Sequence, residues 1–208
     1  MKILQIPTGP IQENCYLVYT EHHLLIIDPG AEPEKIIETI KDTDATPAAI
    51  LLTHTHYDHI GAVDPLREFY EIPVYVSPLE ADWLLDPLMN LSGLGRHDDI
   101  ENIVTAPADE YFQLKEYEIA DISFKVVATP GHSIGSVSFI FPDFVVSGDA
   151  LFRGSIGRTD LPTGNLEQLL NSIRTQLFTL PEEFPVYPGH GEATTVEREK
   201  RLNPFFNN

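Results

Sequence analysis

The feature that most constrains this chain is a run of metal-binding side chains directly after an apolar segment. His54, His56, Asp58 and His59 fall within six residues and follow Ile50-Leu51-Leu52. Side chains of an extended segment repeat every two residues, so the first three point the same way, and a helix beginning near Asp58 returns His59 beside them. Imidazole and carboxylate suit zinc, iron or manganese. The run predicts a metal site rather than a polar loop whose histidines only cap or hydrogen-bond.

Three later segments each place another candidate ligand beside a glycine at the end of a predicted strand. The ligands are His132 after Thr129-Pro130-Gly131, Asp149 after Ser147-Gly148, and His190 after Tyr187-Pro188-Gly189. In open α/β sheets, functional groups gather beyond the carboxyl ends of strands, so we expect these side chains to converge. Taken alone, Asp149 would be read as a turn or helix cap and His190 as a loop residue.

With these motifs the chain resembles the metallo-β-lactamase-fold hydrolases, in the branch of glyoxalase II (hydroxyacylglutathione hydrolase) and its short bacterial relatives. The resemblance covers essentially the whole chain. It implies an α/β fold, classed as α+β in some schemes, built as a four-layer αββα sandwich. It also implies two zinc ions per chain, with iron or manganese as alternatives in one or both sites. His54, His56 and His132 would hold one ion, Asp58, His59 and His190 the second, and Asp149 would bridge both.

The resemblance further implies a thioesterase acting on S-lactoylglutathione or a similar acylated thiol. Two ions can lower the pKa of a shared water from about 15.7 toward about 7, which gives a hydroxide nucleophile at neutral pH. Asp58 would be catalytic as well as a ligand, by orienting that nucleophile or accepting a proton. The alternative is a mononuclear iron persulfide dioxygenase of the same fold, because Gly157-Arg158-Thr159-Asp160 resembles a segment of that group. A nucleic-acid-processing enzyme of this fold and a noncatalytic binding module are weaker alternatives.

Substrate-binding residues are harder to identify than metal ligands. Arg158 is a candidate partner for a substrate carboxylate, and an internal ion pair with Asp160 is the competing interpretation. This chain ends soon after His190, whereas classical glyoxalase II carries a further helical region that grips glutathione. Arg198 and Arg201 are candidates to replace it, although an exposed helix face explains them equally well. His97, in an irregular loop, is a further candidate for substrate contact.

Composition limits the class of protein and of partner. With 208 residues and 42% hydrophobic content, residues 1–208 fit one domain, or two similar halves around one site. The net charge of −19 repels phosphate backbones and anionic lipids, so we expect neither nucleic acid nor membrane as a partner. The resemblance implies a small-molecule thioester as the substrate. No secretory signal or membrane span is recognisable, which favours the cytoplasm. The single cysteine, Cys15, excludes an internal disulfide and lies in a strand-like run, which favours a structural thiol.

Periodicity predicts the order of the helices and strands. Strands are expected at 3–6, 15–19, 24–27, 49–52 and 74–76, the first three antiparallel, and further strand patterns run from 111–114 through 146. Helices are expected at 33–41, 60–69, 79–85, 166–177 and 196–202. Between them, residues 86–102 form a long irregular segment, and loops of that length are often functional.

Overall fold

The structure is a computed structural model that describes residues 1–95 and 101–207, so His97 lies outside the described residues. Its contacts divide the chain into two compact units. One comprises Met1–Phe112 with Glu118–Ile122, and the other Gln113–Tyr117 with Ser123–Asn208. One domain over residues 1–208 stays a prediction. Within the described ranges, no helix is long and apolar enough to cross a bilayer.

The first unit is a mixed sheet whose early strands are antiparallel and whose later strands are parallel. The run Leu24 to Ile27 is buried along its whole length, which explains its continuous apolar sequence. In chain and spatial order the strands are β1 (Lys2–Thr8), β2 (Glu13–Tyr19), β3 (His23–Ile27), β4 (Thr46–Leu51), β5 (Val74–Val76) and β6 (Glu110–Tyr111).

Two amphipathic helices cover this sheet. They are α1 (Pro33–Lys41), with its proline in the first turn, and α2 (Val63–Tyr70). Their buried residues Ile36, Ile40, Val63 and Leu66 join the core formed by alternate residues of the strands. Short 3₁₀ turns lie at Tyr57–His59, Ala81–Leu85 and Ser92–Leu94.

The second unit is built on another sheet with helices packed against it. The strands of this sheet are, in spatial order, β14 (Thr194–Thr195), β13 (Pro185–Pro188), β10 (Val145–Gly148), β9 (Val137–Ile140), β8 (Ile122–Ala128) and β7 (Glu116–Ile119). The stretch Glu118–Ile122 of β7 and β8 is grouped with the first unit. A small hairpin of β11 (Leu151–Phe152) and β12 (Ser155–Ile156) follows β10. Helix α3 (Leu166–Ser172) continues as a π-helical turn, Ile173–Leu177, and α4 (Val196–Leu202) is the last helix described.

The parallel and antiparallel pairings determine where the ends of the strands lie. β8 and β10 are both antiparallel to β9, and β10 is parallel to β13. The strands β8, β10 and β13 therefore run in one direction, and their carboxyl ends share one edge of the sheet. In the first unit β4 is parallel to both of its neighbours, β3 and β5. The segments with candidate ligands begin at these carboxyl ends, as expected from the sequence.

Candidate metal centre

In the first unit, the end of β4 leads directly into the histidine run. The backbone is extended at His56 and then turns once through the 3₁₀ helix Tyr57–His59. This turn brings His59 back beside His54, with ring centroids 4.1 Å apart, while His54 and His56 are 4.7 Å apart. Asp58 Oδ2 lies 3.5 Å from His59 Nε2. A 3₁₀ turn, in place of the start of a longer helix, therefore places these side chains near one another, and their binding of metal stays a prediction.

A buried carboxylate, Asp28, fixes the orientation of two of these rings. Its Oδ2 faces His59 Nδ1 at 3.0 Å and also accepts the Thr53 hydroxyl at 2.5 Å. A carboxylate only accepts, so His59 carries its proton on Nδ1. The Thr53 hydroxyl gives its one proton to Asp28 and therefore accepts from His54 Nδ1, 3.1 Å away. Both rings are thus held with the lone pair on Nε2, the form in which histidine binds metal.

Two buried glutamates support the same segment. Glu80 accepts the Thr55 backbone N–H at 3.0 Å and the Thr55 hydroxyl at 3.2 Å, which anchors the residue between His54 and His56. Glu13 Oε1 lies 3.7 Å from His59 Nδ1, and its other oxygen accepts the Thr8 hydroxyl. Burial raises the pKa of the Glu13 carboxyl well above its ordinary value, against the opposing effect of His59.

In the second unit, the three candidate ligands meet beyond the strand ends. His132 Nε2 and His190 Nε2 lie 3.5 and 3.7 Å from the same oxygen, Asp149 Oδ2. His132 Nδ1 donates to the backbone carbonyl of Arg158 at 2.8 Å, which again leaves the lone pair on Nε2. The backbone next to Arg158 also lies close to that of Asp149, and Gly157 permits this because a Cβ at Gly157 would lie 1.8 Å from the carbonyl oxygen of Asp149.

The chemistry of these groups fits a bound cation. His59 Nε2 lies 3.5 Å from Asp58 Oδ2, and His132 Nε2 lies 3.5 Å from Asp149 Oδ2. Imidazole nitrogen beside carboxylate oxygen is the donor combination that zinc and iron prefer in proteins. A carbonyl or carboxylate behind each ring is the usual support of a metal-bound histidine. The assignment of individual ligands to two ions stays a prediction.

The three arginines that are candidates for substrate binding are engaged within the protein. Arg158 makes two hydrogen bonds to exposed Asp160, at 2.8 and 2.7 Å, so the structure contains the internal ion pair. Arg198 donates to buried Glu199 at 2.6 Å. Arg201 is exposed on α4, 3.7 Å from Glu197, as an ordinary helix-surface pair. A role for these three arginines in substrate binding stays a prediction.

The sequence did not identify the residues that hold the ligands in place. Asp28 begins the sequence Asp28-Pro29-Gly30, which predicts only a turn, and Glu80 lies within the helix predicted at 79–85. The sequence did hold a signal for Asp28, since this residue follows the apolar run Leu24 to Ile27 of β3, as the histidine run follows β4. Side chains after neighbouring parallel strands meet at one edge of a sheet.

Comparison with known proteins identifies the family. The Metallo-beta-lactamase superfamily matches residues 8–190. A probable metallo-hydrolase of Streptococcus pyogenes is 51% identical, covering 99% of this chain and 90% of its own length. Hydroxyacylglutathione hydrolase GloC of Haemophilus influenzae is 37% identical, covering 100% of this chain and 99% of its own length. These relatives span the chain almost completely.

Solved structures agree with this result. The BLEG-1 B3 metallo-β-lactamase superimposes with a TM-score of 0.94 at 45% identity, over 100% of both chains. The TTHA1623 protein in a di-iron-bound form gives 0.86 at 41% identity, over 97% of this chain and 99% of its own. ETHE1 from Myxococcus xanthus superimposes with a TM-score of 0.76 at 31% identity, covering 98% of this chain and 84% of its own. The α/β fold class inferred from the sequence motifs is confirmed.

Proposed function

The chain belongs to the metallo-β-lactamase superfamily as a metal-dependent hydrolase, and we propose that it hydrolyses thioesters of the glyoxalase II type. One observation carries the proposal: Asp28 locks His54 and His59 with Nε2 available for a metal, in a chain 37% identical over its full length to a hydroxyacylglutathione hydrolase. We assign the ions to His54, His56, Asp58, His59, His132, Asp149 and His190, with two zinc ions as the expected content. The di-iron form of TTHA1623 makes iron the main alternative.

The roles of the protein groups follow from their contacts. When bound, paired divalent cations lower the pKa of water and polarise an acyl carbonyl. Asp28 and the Arg158 carbonyl prevent rotation of the rings they hold, so no reorganisation is needed during the reaction. The side chain of Asp58 is 12% exposed, which suits it to receive a proton from an entering water. A thiolate leaves as a stable anion, so a thioester requires no strong general acid.

Persulfide oxidation is the second candidate function. ETHE1 is 31% identical, and the Gly157-Arg158-Thr159-Asp160 segment resembles that of persulfide dioxygenases. Against it, His190, Asp58 and His59, which would hold a second ion, are all retained. Hydrolysis of a β-lactam is tested beside these two activities, because the BLEG-1 B3 metallo-β-lactamase is 45% identical to this chain.

Metal content and activity together test the proposal. Protein purified without added metal is analysed for zinc and iron, then assayed with S-lactoylglutathione, a β-lactam, and a persulfide under oxygen monitoring. We expect two metal ions per chain and thioester hydrolysis that continues without oxygen. One iron with oxygen uptake on persulfide would refute the thioesterase, and so would a β-lactam as the preferred substrate.

The Asp149→Ala variant tests the ligand set directly. Asp149 Oδ2 lies close to both His132 and His190 and is the ligand assigned to both ions. Its loss should remove most of the bound metal and abolish hydrolysis. Asp143→Ala, at an exposed position of the same unit, is the control and should keep both. Full metal content in Asp149→Ala would exclude the bridging assignment.

We propose that the substrate is a small molecule in the cytoplasm, and that nucleic acids and membranes are not partners. The net charge of −19 supports this, since it opposes binding to phosphate backbones and to anionic lipid. Retention of the protein on a DNA column at low salt would contradict the proposal.

A further inference from the structure

A pocket in the first unit opens beside Asp58. It encloses about 330 Å³ between the turn that follows β1, the segment after β3, and the 3₁₀ turn that carries the ligands. This volume lies within the usual range of small-molecule sites. Because Asp58 is part of the lining, a molecule in the pocket would lie next to the reacting group of the proposed hydrolase.

The lining is apolar apart from its acidic groups. Pro10, Ile11, Ala31 and Ile103 supply hydrocarbon surface, and Tyr57 adds a ring with one hydroxyl. The charged groups of the lining, Asp58 and Glu101, are both carboxylates, and no lysine or arginine contributes to it among the residues described. Such a lining favours an uncharged, apolar occupant and repels an anion.

The turn on one side of the pocket is held by two carboxylates. The Thr8 hydroxyl donates to Glu13 Oε2 at 2.7 Å, and the Gly9 N–H donates to Glu32 Oε2 at 3.0 Å. Gly9 itself has a φ of +64°, a conformation that glycine adopts without strain. The position of Ile11, two residues further on, is therefore set by the protein before any ligand arrives.

Asn90 fixes the opposite side. Its side-chain amide donates to the Ile103 carbonyl at 2.9 Å, and its backbone carbonyl accepts the Tyr57 N–H at 2.9 Å. The Ser92 hydroxyl accepts the Ile103 N–H at 2.9 Å. One buried residue thus couples the pocket wall at Ile103 to the turn that carries Asp58. A pocket whose walls are already held in place binds its ligand with a smaller ordering cost.

We propose that this pocket binds the acyl group of the substrate, and that the preferred acyl group is uncharged, apolar and several carbons long. The acyl chain lies between Ile11 and Ile103, and its carbonyl end is at Asp58. The inference rests on the proposed thioesterase function and narrows it to a substrate class. An acyl chain with a terminal carboxylate is disfavoured, because it would meet Glu101.

Acyl-chain preference is the kinetic test. Acetyl, hexanoyl, pentanoyl and glutaryl thioesters of one thiol are compared by kcat/KM. We expect kcat/KM for the hexanoyl thioester to exceed that for the acetyl thioester by at least about tenfold. The pentanoyl thioester should be preferred over the glutaryl thioester by a similar factor, because glutaryl has the same length but ends in a carboxylate instead of a methyl group. A preference for acetyl or for glutaryl would overturn the proposal.

Ile11→Ala and Leu4→Ala form a matched pair of variants. Both residues are aliphatic and similarly exposed, at 39% and 37%, but only Ile11 lines the pocket. Ile11→Ala should lower the hexanoyl-to-acetyl ratio by about tenfold, whereas Leu4→Ala should leave the ratio unchanged. Glu101→Gln should reduce the discrimination against glutaryl several-fold. Equal ratios in Ile11→Ala and Leu4→Ala would contradict the assignment.

Direct binding separates this inference from the thioesterase assignment. Hexanamide, an uncharged apolar probe, is titrated into the full chain and followed by ligand-observed NMR. Ala31→Phe should abolish binding, because the larger side chain fills the pocket beside Gly9. The melting temperature of this variant shows whether it folds. If Ala31→Phe does not fold, Ile11→Ala should still weaken binding. If hexanamide binds but no thioester is hydrolysed, the proposed thioesterase function is refuted and an apolar binding site remains. If thioesters are hydrolysed but hexanamide does not bind, only the assignment of this pocket to the acyl group is refuted.

Discussion

Two arrangements of aspartate, threonine and histidine show how burial determines what the same residues do. Asp28 contacts the Thr53 hydroxyl and His59 Nδ1 in the interior, and Asp121 contacts the Thr20 hydroxyl and His23 Nδ1 at the surface, with comparable distances. At the surface, hydrogen bonding from Thr20 and His23 lowers the pKa of Asp121. In the interior, water cannot replace a lost partner, so the histidine orientation depends on Asp28.

Replacement of Asp28 should therefore weaken metal binding. Asp28→Asn exchanges one acceptor oxygen for an NH2 donor, while the Thr53 backbone N–H still requires the other oxygen. The contacts that fix His59 and, through Thr53, His54 are then lost, and we expect metal affinity to fall by about 10–100-fold. Chelator competition measures this affinity. Asp121→Asn breaks the equivalent surface contacts and should bind metal as the native protein does. Equal affinities in the two variants would show that Asp28 does not orient the ligands.

The lone thiol was predicted to be structural, and its environment agrees. Cys15 is fully buried in β2, and burial raises its pKa well above the ordinary value. A raised thiol pKa lowers the thiolate fraction at any pH below it, so alkylation of the folded protein at pH 8 should be slow. The alkylation rate in urea gives the unprotected reference. Rapid alkylation of the native protein would contradict the structural role.

At the scale of elements, two turns of the first unit approach each other closely. A Cβ at Gly30, just after β3, would lie 1.8 Å from the carbonyl oxygen of Asp58 and 2.5 Å from Glu13 Oε2. No side chain fits there, and the backbone that carries Asp58 has to be displaced. The sequence showed the Asp28-Pro29-Gly30 turn but not this contact, because the contact depends on tertiary packing.

Gly30→Ala should consequently cost about 3 kcal/mol of unfolding free energy and reduce metal binding. Gly154→Ala is the control, since Gly154 has a φ of +72° but open space around its Cα. It should cost only about 1 kcal/mol, for the left-handed backbone, and leave metal binding intact. Urea unfolding and metal analysis of both variants distinguish steric overlap from backbone strain.

Elements with strong local signals were predicted well, and those set by tertiary packing were not. The helices at Pro33–Lys41 and Val196–Leu202 and the strand Val74–Val76 have the predicted bounds, supported by proline at a helix start, helical periodicity and a short apolar run. The short helix predicted at 79–85 is present only as the 3₁₀ helix Ala81–Leu85, which begins two residues later and buries Trp83 and Leu84. The strand predicted at 111–114 is shorter than expected, because the chain pairs with β5 only at Glu110–Tyr111.

At the scale of the whole molecule, family membership was accessible from the sequence because the ligand motifs are specific. The site was only partly accessible, since a motif names the ligands but not the groups that orient them. Asp28, Glu13 and Glu80 come from separate segments and reach the histidine run only after β3 and β4 have paired. Their contribution depends on burial, which no local pattern encodes.

Metal binding should contribute to the stability of the whole chain, because it neutralises buried carboxylates in a protein of net charge −19. A ligand that binds only the folded state at about 100 times its dissociation constant stabilises by about 2.7 kcal/mol. For a chain of this length that corresponds to about 5–10 °C in melting temperature per ion. Chelation should lower the melting temperature by at least this amount, and added zinc should restore it.

Two histidine variants serve as controls for the chelation experiment. His22→Ala, at an exposed histidine, should lose as much melting temperature on chelation as the native protein, whereas His54→Ala should lose little. An unchanged melting temperature after verified removal of metal would mean that the buried histidines and carboxylates are stable without a cation.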